Sequence, residues 1–75
     1  MTGIQKAEGQ WHEFAVPEMH CGGCVRAIEA AVKAVEPDAL VVAELEARRV
    51  KVKGTLAAGV YQEAIEGAGF DARLV

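Results

Sequence analysis

Seventy-five residues provide for one small domain with a correspondingly small core. Hydrophobic residues make up 52% of the chain but lean on alanine and valine, a composition that suits one layer of helices on one sheet rather than a deep substrate pocket. The formal charge of -3, from 8 basic and 11 acidic residues, speaks against nucleic acid, and no stretch nears the roughly 20 apolar residues of a membrane span.

Residues 1–10 show no periodicity and read as a flexible lead-in, with the folded domain expected over 11–75. That start is polar and lacks the apolar segment of a secretory signal, which predicts a cytoplasmic chain. From Trp11 the pattern becomes a strand, with Phe14 and Val16 on one face and Glu13 and Ala15 on the other. Pro17 cannot donate to a sheet ladder and should end it. After the turn Cys21-Gly22-Gly23-Cys24, the apolar residues Val25, Ile28, Val32 and Val35 recur at helical spacing until Pro37.

Leu40 to Lys53 reads as two strands around a turn near Ala47 and Arg48. Val41, Ala43 and Leu45 share one face of the first strand, and Val50 and Val52 one face of the second. The basic run Arg48, Arg49, Lys51, Lys53 alternates with these valines and reads as a wet strand face, not a phosphate site. Thr55 is a suitable N-cap for a second helix with an apolar stripe of Leu56, Val60, Ala64 and Ala68 and a stop at Gly69. Phe70 to Val75 reads as a last strand. The order βαββαβ predicts an α+β, ferredoxin-like sandwich: a four-stranded antiparallel sheet, two helices on one face, and the other face open to solvent.

The chemistry concentrates at Cys21 and Cys24. In a reducing compartment this spacing marks a metal or redox pair rather than a staple. Cysteines three apart across a strand-to-helix turn can share one ion, and the glycines between them keep bulk out and let the loop adapt its dihedrals. The second sulfur falls in the first helical turn, where amides and the helix dipole favour thiolate. Two soft thiolates without a third strong donor suit Cu(I), whereas zinc prefers four ligands, which no second Cys pair or paired histidines supply. A two-coordinate ion on a surface loop is open to attack by a partner's thiolate, which suits transfer rather than storage.

The run Met19-His20-Cys21-Gly22-Gly23-Cys24 resembles the M-x-C-x-x-C motif of heavy-metal-associated domains, most nearly those of small bacterial cytoplasmic copper chaperones. Ala64 to Phe70 resembles the family's second helix and following loop, so the likeness covers about residues 12–75. It implies Cys21 and Cys24 as Cu(I) ligands and Met19 as a buried tether, with Phe70 where bacterial members usually carry tyrosine and eukaryotic ones lysine. It further implies delivery to a copper-transporting P-type ATPase or a copper-responsive regulator. Departures are Glu18 for the usual glycine, which stiffens the approach to the loop, His20 for threonine or serine, and Phe70 without a hydroxyl.

Alternatives stay open. His20 is an exposed side chain by default, with a third-ligand role, or a bridge in a metal-linked dimer of an otherwise monomeric protein, as the others. His12 reads as an ordinary surface or strand-end residue, and Trp11 and Phe14 as structural. The same pair of sulfurs also fits Hg, Ag, Cd or Zn. A thiol-disulfide redox protein is the rival from another class, but that fold needs a longer chain, a Trp before the motif and a cis-proline facing it. A chain running from Met1 to Val75 without a linker favours a free carrier over a fused module.

Overall fold

Alternation builds the sheet and fixes which face is dry. In this computed structural model, which describes residues 9–75, β1 (Gln10–Ala15) pairs antiparallel with β3 (Arg49–Gly54) in a register that sets Phe14 against Val50 and His12 against Val52. β2 (Leu40–Glu44) adds to the far side of β3, and the two-residue β4 (Arg73–Leu74) to the far side of β1, giving the order β2-β3-β1-β4, antiparallel throughout. Helices α1 (Gly22–Val35) and α2 (Ala58–Gly67) cover the face that carries Phe14, Val50 and Val52. The expected ferredoxin-like sandwich is therefore the fold. The proposed lead-in lies mostly outside the described residues.

The other sheet face is wet, as the basic alternation predicts. Arg49 holds Glu13 at 2.9 Å, Lys51 lies 4.0 Å from Glu44, and Lys53 sits 6.0 Å from the ring centroid of the half-exposed Trp11. Such exposed pairs add little to stability. Arg48 does not join them. It belongs to the Leu45–Arg48 turn, at φ 55, and its guanidinium donates to the Pro17 carbonyl at 3.4 Å.

Several details differ from the sequence reading. Val35 and Leu45 are exposed: Val35 is the last residue of α1, and Leu45 falls in the turn rather than on the strand. The last strand shrinks to two residues. In α2 the buried residues are Tyr61 and Ile65, while Val60 is 37% exposed and Ala68 is exposed. The apolar stripe is thus turned by one residue. A tyrosine can head it because its hydroxyl finds partners: it donates to the Glu36 carboxylate and accepts the Leu56 N–H at 3.0 Å.

Thr55 is not the cap of α2, which starts after Ala57. Its hydroxyl instead donates to Glu36 at 2.8 Å, and its N–H points to the same carboxylate at 3.2 Å. Glu36 follows the last turn of α1, so one carboxylate joins the end of α1 to the start of α2. Gly54 makes this possible, since a Cβ there would run into the Tyr61 hydroxyl and the Glu36 carboxylate. His12 packs beside Tyr61 at this end, ring centroids 5.8 Å apart.

Candidate metal centre

The loop between β1 and α1 is built on two buried anchors. Val16, just past β1, donates its N–H to the Arg48 carbonyl at 2.8 Å, and Met19 donates its N–H back to the Val16 carbonyl at 3.0 Å. Both side chains are fully buried in the core between sheet and helices. From there the chain emerges: His20, Cys21, Gly22 and Gly23 are all exposed.

Cys21 is the N-cap of α1, with extended backbone at φ -153 and ψ 165. Its carbonyl accepts the N–H groups of Cys24 at 3.1 Å and Val25 at 3.3 Å, the first bonds of the helix. Cys24 therefore stands in the first turn, half-buried, and the two free sulfurs lie 3.1 Å apart. The main-chain N–H of His20 and, after it, the Cys21 thiol point at the Cys24 sulfur and hold its pKa below the ordinary thiol range.

The glycines play a smaller part than expected. Gly22 and Gly23 are the first helical residues, neither has positive φ, and a Cβ on Gly22 would meet nothing. Neither special dihedrals nor crowding requires glycine there in this conformation.

His20 and Glu18 carry contacts that spacing could not show. The His20 Nδ1 lies 2.6 Å from the Glu18 carbonyl, and the Glu18 carboxylate accepts the Asp71 N–H at 3.2 Å. Asp71 follows Gly69, at φ 101, and Phe70, which packs half-buried against the core. The loop after α2 is thus tied to the metal loop from 53 residues away. Among the described residues no three of His, Cys, Asp and Glu gather into a metal site, and the two sulfurs lie together on their own. No helix of the described residues is long and apolar enough to cross a membrane.

Comparison with known proteins agrees with this geometry. No curated protein sequence matches. Among solved structures, a gold binding protein superposes with a TM-score of 0.82 at 28% identity, covering 85% of this chain and 98% of its own. The copper chaperone Atx1 from Synechocystis gives 0.79 at 26% identity, covering 81% and 97%. A copper binding domain of the P-type ATPase HMA7 gives 0.77 at 26%, covering 87% and 92%. The model of the heavy-metal-associated domain matches residues 13–71, a span that holds the buried Met19 anchor, both sulfurs and the Phe70 loop, and the chain belongs to that family.

Proposed function

We propose that this domain, over residues 11–75, binds one Cu(I) ion between the thiolates of Cys21 and Cys24 and passes it to a thiolate pair on a partner. The observation that carries the reading is the pair of sulfurs 3.1 Å apart beside an exposed loop, with no third His, Cys, Asp or Glu grouped with them among the described residues. Two soft donors and an open approach suit a low-coordinate soft ion. Binding releases the remaining thiol protons to solvent, since the ligands are thiolates.

Transfer follows as ligand exchange at constant oxidation state. A partner thiolate adds to the bound ion on its open side, one bond to a cysteine of this chain breaks, and a second partner thiolate completes the exchange. Cys21 is the more exposed residue, while Cys24 is half-buried in the first helical turn, so the bond to Cys21 is the one an entering ligand displaces first. A copper-transporting P-type ATPase or a copper-responsive regulator fits as recipient, and likeness to Atx1 and to the HMA7 domain supports that choice. Delivery of this kind belongs to the cytoplasm, with a monomer as carrier.

A second reading keeps the site and changes the ion. Likeness to a gold binding protein supports a softer or larger ion in the same place, Ag(I) or Hg(II) among them. Anaerobic titration with each metal under thiol competition, read by mass spectrometry and sulfur-edge absorption, decides between them. One Cu(I) per chain on two sulfurs is expected, with Cys21→Ser and Cys24→Ser each lowering the affinity by orders of magnitude. Retention of Cu(I) by either variant at the parent's affinity refutes the assignment. Stronger retention of another ion moves it to that ion.

A further inference from the structure

We propose that Glu18 and His20 are positioning residues that clamp the approach to the metal loop and fix the backbone leading into the Cys21–Cys24 pair. This rests on Cys24 being a metal ligand, as argued above. The clamp has two arms. In the first, the His20 ring reaches back two residues, its Nδ1 lying 2.6 Å from the Glu18 carbonyl. A carbonyl oxygen only accepts, so Nδ1 carries the proton, and in the neutral ring Nε2 keeps its lone pair outside the clamp. In the second, the Glu18 carboxylate accepts the Asp71 N–H at 3.2 Å and ties residue 18 to the loop after α2.

Between these arms the backbone of residues 18–20 has little freedom. Met19 is buried and its N–H is held by the Val16 carbonyl at 3.0 Å, so the residue between Glu18 and His20 is fixed as well. What this arrangement fixes is the stretch of backbone that leads from the buried Met19 into Cys21. A loop whose approach is already fixed needs less rearrangement on metal binding. Groups that orient a ligand from outside the coordination shell change metal affinity although they never touch the ion. The ring of His20 is thereby engaged with backbone, consistent with the lack of any three-residue donor group around the pair.

Side-chain replacement separates the two ring nitrogens. Asparagine places its amide nitrogen near the position of Nδ1 and can restore the bond to the Glu18 carbonyl, whereas glutamine reaches toward the position of Nε2. At residue 18, Glu18→Gln keeps the accepting oxygen and Glu18→Ala removes it. The metal-free protein is read first, by long-range proton-nitrogen correlation of the His20 ring in alkaline buffer and by amide hydrogen exchange. The clamp requires the Nδ1–H tautomer. It also requires exchange of the Asp71 amide to speed by about tenfold or more in Glu18→Ala but not in Glu18→Gln.

Cu(I) competition follows on the same set. His20→Ala, His20→Gln and Glu18→Ala should each lose about tenfold in affinity, with His20→Asn and Glu18→Gln close to the parent. An Nε2–H tautomer, or Asp71 exchange indifferent to Glu18→Ala, overturns the proposal. Equal loss in His20→Asn, His20→Gln and His20→Ala, with a nitrogen ligand in the parent's metal-edge absorption, overturns it in favour of ligation by His20. If the parent held no metal on its two sulfurs, the proposed function would fail, while the tautomer and exchange measurements would still decide the clamp.

Discussion

Replacing Met19 by leucine and by alanine separates a tether from a ligand. The side chain is fully buried in the core beneath the metal loop, and its N–H is bonded to Val16. Met19→Ala removes three heavy atoms from the interior, a transfer loss of about 2 kcal/mol at about 0.8 kcal/mol for each buried methylene. The space left behind adds to that at about 24 cal/mol per Å³ that fails to collapse, which brings the expected cost to about 2–4 kcal/mol. For a domain of this size each kcal/mol moves the melting temperature by about 4–8 °C, so a fall of about 10–30 °C is expected. Met19→Leu conserves volume and should cost less than about 1.5 kcal/mol. Thermal and urea unfolding of the metal-free proteins measure both, and Cu(I) competition is run at a temperature where each remains folded. The tether reading expects Met19→Leu to bind Cu(I) as the parent does. A loss of tenfold or more in Met19→Leu, with stability intact, would show thioether ligation and refute the reasoning.

Four further outcomes follow from other parts of the molecule. The Tyr61 hydroxyl first, and Thr55 after it, hold the Glu36 carboxyl below its ordinary value of 4.5, so its contribution to stability is present above that pH and lost as the pH falls through the depressed folded value; urea midpoints from pH 6 to 3 should fall less steeply in Glu36→Gln than in the parent. Burial first, then Glu36, raises the Tyr61 pKa above 10.0, so the linked stability is present below pH 10 and lost as the pH rises through the folded value, a slope that Tyr61→Phe should abolish between pH 9 and 11. Gly69 sits at φ 101 with open space where a Cβ would stand, so Gly69→Ala should cost about 1 kcal/mol or more through backbone strain alone, read as a lower urea midpoint with an unchanged slope. Gly22→Ala, in helical backbone with open space around it, should raise stability by up to about 1 kcal/mol and leave Cu(I) affinity unchanged.

The strands and the first helix were legible because their patterns answer to one buried face each. Phe14, Val50 and Val52 alternate with charged residues, and Ile28 and Val32 repeat at helical spacing, so period alone identifies their inward side. The same test misplaced the stripe of α2. Tyr61 counts as half-polar in any pattern, yet it is buried because Glu36 and Leu56 satisfy its hydroxyl, and both partners are brought there by the tertiary fold. Thr55 looked like a cap for a related reason: its hydroxyl was free to bond locally, but a carboxylate 19 residues earlier takes it. At the site, the two cysteines were legible from their spacing and from the strand before and helix after them. The Glu18 contact with Asp71 was not, because nothing in a sequence pairs positions 53 apart without a fold to join them.

The two ends of the domain divide the work of holding it together. Fourteen residues of α1 span about 21 Å, so Glu36 lies a full helix length from the sulfurs. Helix α2 runs the other way, since Thr55 and Leu56 before it bond at the Glu36 end while Asp71 after it reaches Glu18 beside the metal loop. At the far end, Glu36, Tyr61 and Thr55 lock the helices to each other through side chains. At the near end the same task falls to the buried Val16 and Met19 and to a single bond from Asp71. The polar lock thus stands a helix length from the cysteines, while the Glu18 carboxylate near them is engaged by the Asp71 N–H. Under the proposed function, the exposed Cys21 is the side of the pair at which a partner's thiolate would enter.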